Sequence, residues 1–323
     1  MQAPPPSTIH IPSTYTTPAD AHVRVTNHPE SASGVTPILI VRLNRPEKLN
    51  SFTGEMITGL ESFFRVVDHD SRVKVVILTG TGRAFSAGID LNLDAAPPRD
   101  IPLTDIRDTG GRLALAMYNC SKTVIVAYNG LSVGIGMTST LAAGIRIASP
   151  KSRFGFPFSR IGLTMESASS FFLPRMVGYG RATYLLTTGL TYPADSKTLD
   201  GIFSELVPEP KDVLPRAVKL AEEIVERVST TAIHLNRQLI WRNAGSAEAA
   251  HLVDSPLLAH QFASRDHAEA KRAFFASDKP TFTDQLSTAA PTTYPWWTEL
   301  AVDPKPAVVQ ATSETPTTPK SKL

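Results

Sequence analysis

The sequence predicts an α/β fold followed by a helical C-terminal part. Three apolar runs, at 38–44, 73–80 and 123–130, have the length and composition of buried strands. Segments with helical spacing of apolar residues lie between them, so strands and helices alternate along the chain. From residue 211 onward the pattern changes to amphipathic helices with few strand signals. These observations predict a β/α core and a separate helical region.

The elements between the three strands follow from spacing. Segment 54–70 has apolar residues at every third or fourth position, which is typical of a helix packed on a core. Helices are also predicted at 104–120 and 136–144, and another begins near Glu166. The segments GIRIAS and RFGFPF, which lie between the last two helices, are predicted to be short strands.

Composition divides the chain into four parts. Residues 1–22 are rich in Pro, Ser and Thr, and we expect them to be disordered. The β/α core is expected over 23–210 and a helical region over 211–285. Residues 286–323 are expected to form a flexible tail.

Charge and cysteine content exclude several classes of protein. The 323 residues include 32 basic and 30 acidic side chains, without the basic excess of a nucleic-acid or membrane-surface protein. The single cysteine, Cys120, excludes a disulfide framework within the chain. The apolar stretch 124–148 is interrupted by Asn129, several glycines and Arg146, which favours buried core over a membrane span. We find no metal-binding or Walker-type motif, and expect neither a metal nor a separate cofactor.

The last three residues, Ser321-Lys322-Leu323, match the address that the peroxisomal import receptor recognises. The Pro- and Thr-rich segment 303–320 before them is expected to be accessible to that receptor. The sequence therefore predicts a peroxisomal protein.

The segment GLSVG, residues 130–134, matches the Gly-x-Ser-x-Gly turn of serine hydrolases and lies between a predicted strand and a predicted helix. Ser132 is then a candidate nucleophile, although no His-Gly-Gly motif precedes it and the downstream histidines lie in helix-like segments. A tight glycine turn with a structural serine is the alternative. The candidate partners of Ser132 in the hydrolase hypothesis are Asp195 or Asp200 and His251, His260 or His267.

Two glycine-bearing turns form a second candidate site. The segments 84–91 and 129–137 each follow a buried strand, and each can present one backbone N–H to a ligand. Two converging N–H donors form an oxyanion hole, which suits the stabilisation of an enolate made from a thioester.

Glu166 stands alone among apolar and small residues. Two interpretations remain open from the residues alone. Glu166 is either a solvated carboxylate at a helix start or a buried acid with a catalytic function. Apolar neighbours such as Met165, Phe158 and Phe171 would raise its pKa, whereas a helix start would lower it.

Five segments in order make the sequence similar to a known family. They are NRPEKLNSFTGEM, VKVVILTGTGRAFSAGIDL, TVIVAYNGLSVGIGM, FGFPFSRIGL and SRDHAEAKRAFFASDKPTF. From about Ile38 to Phe282 the chain resembles the enoyl-CoA hydratase/isomerase family, the crotonases. The resemblance implies a spiral of ββα turns with a C-terminal helical trimerisation region. It also implies a homotrimer or hexamer and an acyl-CoA substrate, with coenzyme A as part of the substrate.

The resemblance also assigns site residues. It implies that the backbone N–H groups of Ile89 and Ile135 form the oxyanion hole. It places Lys48 and Lys279 near the phosphates of coenzyme A. The other positions that it implies for substrate binding are Ala87, Gly88, Asp90, Leu91, Gly134 and Phe158.

The positions that match the two glutamates of the hydratases hold Thr138 and Phe158, neither of which is an acid or base at neutral pH. Glu166 matches the single glutamate of peroxisomal Δ3-Δ2-enoyl-CoA isomerases, where a glycine usually follows; here Ser167 and Ala168 follow. The resemblance therefore predicts an isomerase with Glu166 as its catalytic residue. The alternatives are a hydratase or dehydratase of a peroxisomal biosynthetic pathway, a serine hydrolase using Ser132, and a non-catalytic protein that binds acyl-CoA.

Overall fold

The computed structural model describes residues 9–92, 101–300 and 302. The strands are β1 Val23–His28, β2 Ile38–Leu43, β3 Val75–Gly80, β4 Ala84–Ser86, β5 Thr123–Ala127, β6 Leu131–Val133, β7 Ile145–Ala148, β8 Arg153–Gly155, β9 Thr191–Pro193 and β10 Glu205–Leu206. The helices are α1 Gly54–Val67, α2 Thr109–Asn119, α3 Ile135–Thr138, α4 Ser169–Val177, α5 Tyr179–Thr188, α6 Val213–Arg227, α7 Thr230–Trp241, α8 Ala247–Phe262, α9 Arg265–Ala276 and α10 Leu286–Ala289.

The strands form two sheets. The larger has the order β1-β2-β3-β5-β7-β10, and the smaller has the order β4-β6-β8-β9. All neighbours are parallel except the pairs β1–β2 and β8–β9, which are antiparallel. Each parallel step requires a crossover, and the helices supply it.

The crossovers repeat as ββα turns. β3, β5 and β7 lie side by side in the larger sheet, and β4, β6 and β8, which follow them in the chain, lie side by side in the smaller sheet. A helix follows each pair: α2, α3 and α4. The predicted α/β spiral is confirmed, and so is the helical character of the C-terminal region.

The alternation of side chains in β2 explains how the two core layers form. Ile38 and Ile40 point to one face of the larger sheet and pack with α6 residues such as Ala217. Leu39 and Val41 point to the other face, where they join the cluster that contains α1 and α2. Because both faces are covered, β2 is apolar at every position except Arg42.

Helix bounds in the core differ in part from those predicted. Helix α2 begins at Thr109 rather than at 104. Asp108 caps this start by accepting a hydrogen bond from the Gly111 N–H. The helix predicted over 136–144 is one short turn, α3, that ends at Thr138. Its continuation as far as Ala143 is buried but forms turns instead.

The prediction of disorder over 1–22 is wrong for the described part of that segment. Tyr15 is buried and packs edge-on against Phe63. The Pro12 carbonyl accepts a hydrogen bond of 2.7 Å from Arg72, and the Thr17 N–H donates to the Val25 carbonyl at 3.1 Å. This segment therefore covers the end of α1.

The prediction of a flexible tail from 286 is also wrong for its described beginning. Tyr294 forms a hydrogen bond with His234 of α7, with 2.8 Å between Oη and Nε2. Arg242 stacks over the Trp297 ring at 4.0 Å. The aromatic side chains of this segment thus anchor it to α7. Segment 303–320 and Ser321-Lys322-Leu323 lie outside the described residues, so the import signal stays a prediction.

The C-terminal helices carry large apolar side chains on their surface, among them Phe262, Phe274 and Phe275. In the described part of the chain, no helix combines the length and apolar character that crossing a membrane requires.

Candidate active site

Two backbone turns lie together at one edge of the smaller sheet. β4 and β6 are parallel neighbours, with Ser86 paired to Ser132, so the turns after them start side by side. A Cβ atom built on Gly134 would lie 3.7 Å from the Gly88 Cα, which shows how closely the two turns approach. The predicted convergence of these turns is therefore present.

The first turn leaves the Ile89 N–H free. Phe52 donates its N–H to the Gly88 carbonyl at 2.8 Å and accepts the Asp90 N–H at 2.9 Å. Ile89 lies between these two hydrogen bonds, and its N–H has no acceptor among the described residues. A buried or half-buried backbone donor is normally paired, so this one is available to a ligand.

Asn50 and Ser86 hold the first turn in place, a role that the sequence analysis missed. The Asn50 side chain donates to the Ala84 carbonyl at 2.8 Å. The Ser86 hydroxyl donates to the Asn50 carbonyl at 2.9 Å and accepts the Gly88 N–H at 3.1 Å. Both residues are buried. The turn is thus fixed before any ligand binds.

The second turn offers the Ile135 N–H. Ile135 is the first residue of α3, so its N–H has no acceptor within the helix. Gly134 before it has φ 55° and ψ −128°, a conformation that only glycine adopts readily. The Gly134 N–H itself donates to the Gly155 carbonyl at 3.1 Å. Ile89 and Ile135 therefore present two free donors from two turns in contact.

Glu166 lies beside the second turn. Its Oε1 accepts a hydrogen bond from the Thr138 hydroxyl, and its Oε2 accepts one from the Ser167 hydroxyl. Thr138 belongs to α3, three residues after Ile135. The carboxylate therefore lies one helical turn from a candidate oxyanion donor.

Burial raises the pKa of the Glu166 carboxyl above its usual range, and the negative charge of Asp108 adds to this. The hydrogen bonds from Ser167 and Thr138 oppose the rise because they stabilise the charged form. Burial is the largest of these effects. The interpretation of Glu166 as a solvated surface carboxylate is therefore wrong.

The local turn differs from a simple helix start. Ser167 and Ala168 have φ of 58° and 51°, in the left-handed region that favours glycine. Helix α4 begins only at Ser169, whose N–H donates to the Glu166 carbonyl at 3.0 Å. The Glu166 side chain does not cap α4, because its oxygens accept the Thr138 and Ser167 hydroxyls.

The start of α2 closes the site from another side, which the sequence did not indicate. A Cβ atom on Gly110 would overlap the Glu166 Oε2. The Asp108 Oδ2 accepts the Gly111 N–H at 2.5 Å and the Ser167 N–H at 3.3 Å. Asp108 and Gly110 are more than fifty residues from Glu166 in the chain, and glycine is common at turns, so sequence alone gave no signal for them.

The other predicted substrate-binding residues lie in the core or next to the first turn. Phe158 is 6% exposed and belongs to the core cluster that also contains Ile135. Asp90 is held by Arg45 at 3.1 Å, and Leu91 beside it is 76% exposed. Ala87 donates its N–H to the Leu49 carbonyl, next to the exposed Lys48. Their roles in substrate binding stay predictions.

Lys279 is the exception. Its ammonium group pairs with Glu226 of α6, and α6 packs on the face of the larger sheet opposite the cluster that contains Ile135. Within one chain the structure therefore does not bring Lys279 to the other predicted residues.

Ser132 is not arranged as a nucleophile. It is fully buried in β6, and its hydroxyl has no hydrogen-bond partner among the described residues. Two of the candidate histidines form hydrogen bonds elsewhere: His251 with the Ser255 hydroxyl, and His260 with the Ala289 carbonyl at 3.2 Å. The remaining candidates do not reach Ser132 either: His267 packs against Phe262, Asp200 pairs with Arg181, and no contact of Asp195 with a histidine is seen in the described chain.

The ββα spiral, the paired backbone donors and the half-buried carboxylate together define a protein of the crotonase class. The sequence profile described as enoyl-CoA hydratase/isomerase matches residues 34–285. The chain therefore belongs to the enoyl-CoA hydratase/isomerase family.

Similar proteins include two enoyl-CoA hydratases of Alternaria alternata, AFT3-1 and ACTT3. They are 41% and 40% identical over 252 residues, which cover 77% of this chain and 84% of each relative. A 1,2-epoxyphenylacetyl-CoA isomerase of Escherichia coli is 31% identical over 76% of this chain and 95% of its own. A Streptomyces coelicolor crystal structure assigned to the enoyl-CoA hydratases superposes with a TM-score of 0.73 at 29% identity, covering 88% of this chain and all of that chain.

Proposed function

We propose that this protein is a Δ3-Δ2-enoyl-CoA isomerase that uses Glu166 as its single proton carrier. The observation that supports this proposal most is which acidic side chain the site holds. Among the described residues, the Glu166 carboxylate lies beside the α3 donor turn. The family resemblance matches Thr138 and Phe158, neither of which is an acid, to the two glutamates of the hydratases.

The reaction begins with the thioester oxygen between the Ile89 and Ile135 N–H groups. These donors stabilise the negative charge that develops on that oxygen. Glu166 removes a proton from C2, and the electrons of the broken C–H bond pass into the carbonyl to give a dienolate. The protonated Glu166 then returns the same proton to C4 as the carbonyl reforms. The double bond now lies between C2 and C3, and no atom has been gained or lost.

The raised pKa of Glu166 suits this role. A carboxylate with an ordinary pKa is a weak base toward a carbon acid, and burial makes it a stronger one. The same raised pKa lets the carboxylic acid persist long enough to deliver the proton at C4.

Hydration or dehydration of an enoyl-CoA is the second candidate. Two observations favour it: relatives 40% and 41% identical are enoyl-CoA hydratases, and Asp108 is linked to Glu166 through Ser167. Asp108 would then act as the second carboxylate that a water-adding enzyme needs.

We also propose that the protein forms a homotrimer or a dimer of trimers through its C-terminal helices. Leu252, Phe262, Phe274 and Phe275 are each more than 60% exposed in the single chain, and large exposed apolar side chains are typical of an interface. Light scattering on the purified protein tests this, and a monomer would contradict it.

The assay that tests the function supplies a 3-enoyl-CoA and, separately, a 2-enoyl-CoA to the wild-type protein. We expect the 3-enoyl-CoA to be converted to a 2-enoyl-CoA of identical mass, with no product heavier by one water. Product heavier by one water from the 2-enoyl-CoA would favour the second candidate. Tight binding with neither reaction would favour the non-catalytic alternative.

A further inference from the structure

We propose that Thr138 and Ser167 are positioning residues, whose two hydroxyl groups clamp the carboxylate of Glu166 and aim it at the carbons next to the oxyanion hole. This inference rests on the proposed function, because it assigns a task to neighbours of the proposed base. It also extends that function, because it assigns the hydroxyl groups of Thr138 and Ser167 a task in aiming the base.

Thr138 ties the carboxylate to the oxyanion hole. Its hydroxyl contacts Glu166 Oε1 and also lies 3.2 Å from the Gly134 carbonyl. Gly134 precedes Ile135, whose N–H is one of the two free donors. One short helix therefore carries both the donor for the thioester oxygen and the hydroxyl that holds the base. The distance between base and oxyanion is set by α3 rather than by a flexible loop.

Ser167 holds the second oxygen at a cost in backbone conformation. It has φ 58°, where glycine is favoured, and it is fully buried. Glycine would fit this backbone better but has no hydroxyl to donate to Glu166 Oε2. The Ser167 hydroxyl therefore contacts Glu166 from a position whose backbone favours glycine.

Both hydroxyls can serve the two protonation states. A hydroxyl donates to the charged carboxylate and can accept from the carboxylic acid after a rotation about its C–O bond. The clamp therefore persists while Glu166 carries the proton from one carbon to the other.

The charged surroundings of Glu166 are simple. Asp108, at the start of α2, acts on it and raises its pKa. The arginines of the neighbouring elements are occupied elsewhere: Arg112 of α2 pairs with Glu61 at 2.9 Å, Arg160 donates to the Thr188 carbonyl at 2.8 Å, and Arg175 of α4 donates to the Phe171 carbonyl at 2.9 Å. No ionisable side chain of α3 faces it, since that helix reads Ile-Gly-Met-Thr.

The experiment measures the pKa of the Glu166 carboxyl in the full-length protein by carbon-13 NMR with labelled glutamate. The Glu166 signal is assigned by its loss in Glu166→Gln. The same titration is made on Thr138→Val, Ser167→Gly and Asp108→Asn. The matched control is Ser277→Gly, because Ser277 is a serine with φ 51° at the end of α9, outside the site. The pH profile of kcat/KM for the isomerisation is recorded alongside.

Loss of either hydroxyl removes a donor to the charged form, so the pKa rises and the acid limb of kcat/KM moves to higher pH. Asp108→Asn keeps a side chain that can cap α2 but removes the negative charge, so the shift is downward. We expect kcat to fall on the order of 100-fold in Thr138→Val and Ser167→Gly because the base is no longer aimed. Ser277→Gly changes neither quantity, and Thr138→Ser, which keeps the hydroxyl, restores both.

If the pKa of the Glu166 carboxyl is unchanged in both Thr138→Val and Ser167→Gly, the proposed clamp is overturned, whatever the activity of these variants. The titration does not need turnover. If the wild-type protein proves to be no isomerase, the pattern of pKa shifts still decides whether the clamp exists, so the two failures are distinguishable. If Thr138→Val does not fold, Ser167→Gly alone decides the test, because glycine suits the φ of 58° at that position and an unchanged pKa of Glu166 there would overturn the clamp.

Discussion

The two halves of the site meet the same backbone requirement in different ways. The half that we propose holds the thioester oxygen, called the oxyanion half, places glycine at its positive-φ positions, Gly88 at 96° and Gly134 at 55°. The half that we propose carries the proton, called the proton-carrying half, places Ser167 at 58° and Ala168 at 51°, where side chains are strained. In the proposed mechanism the first half acts through backbone N–H groups, whereas the second half acts through the Glu166 side chain.

This difference indicates how each half tolerates change. In the oxyanion half the identity of the side chains at 89 and 135 matters little, because the donors belong to the main chain. The backbone conformation of Gly134 matters greatly, since φ 55° with ψ −128° is strained for any residue with a side chain. In the proton-carrying half, the two hydroxyl groups that contact Glu166 and the space left beside Gly110 each affect the Glu166 carboxylate separately.

The largest effect that separates the halves is expected from Gly134→Ala. Alanine cannot adopt φ 55° with ψ −128° without strain, so the turn moves and the Ile135 N–H leaves its position. We expect kcat to fall about 10²- to 10³-fold, the usual loss for one oxyanion donor, in steady-state kinetics at constant pH.

The matched control for that variant is Gly245→Ala. Gly245 also has a positive φ, of 90°, and a Cβ there meets no atom within 4 Å. Both variants should lose about 1–2 kcal/mol of stability from the left-handed conformation, measured by urea unfolding. Equal loss of activity in both would mean that strain, rather than the oxyanion donor, explains the effect.

A smaller effect is expected from Gly110→Ala, which acts on the proton-carrying half alone. The new methyl group would overlap Glu166 Oε2 and push the carboxylate aside. We expect kcat to fall roughly 10- to 100-fold through misplacement of the base. The free energy of unfolding should also fall by about 1–3 kcal/mol, since the methyl group would overlap the buried Ser167 Oγ as well.

Gly59→Ala is the control for Gly110→Ala. Gly59 lies inside α1, and a Cβ there meets no atom within 4 Å. This variant should keep full activity and gain up to about 1 kcal/mol of stability. Wild-type activity in Gly110→Ala would show that the position of the Glu166 carboxylate does not depend on the absence of a side chain at Gly110.

The sequence predicted the parts of the fold that rest on periodic apolar residues. Strands β2, β3 and β5 and helix α1 lie where the apolar runs placed them, because both faces of the sheet are buried. The helix over 136–144 was overestimated because small buried residues such as Ala142 and Ala143 fill turns as readily as helices. The anchoring of Tyr294 and Trp297 was missed because abundant Pro and Thr nearby suggested a flexible tail.

The site was predictable where its groups are close in the chain. Glu166 became a candidate because its isolation among apolar residues is visible in the sequence, and the two donor turns became candidates because each follows a buried strand; their catalytic roles stay predictions. Asp108 and Gly110 were not found, since only the packing of α2 brings them to Glu166. Thr138 was interpreted as a missing acid, and only the structure shows its hydroxyl on the carboxylate.

The central claim is that Glu166 alone carries the proton, and Glu166→Gln tests it most directly. Glutamine keeps the size and the hydrogen-bonding capacity of the side chain but cannot accept a proton at neutral pH. With a 3-enoyl-CoA substrate, we expect the initial rate of isomerisation to fall at least about 10²- to 10⁴-fold, as for loss of a general base. Ser132→Ala should keep the wild-type rate. Isomerisation by Glu166→Gln at the wild-type rate would contradict the account.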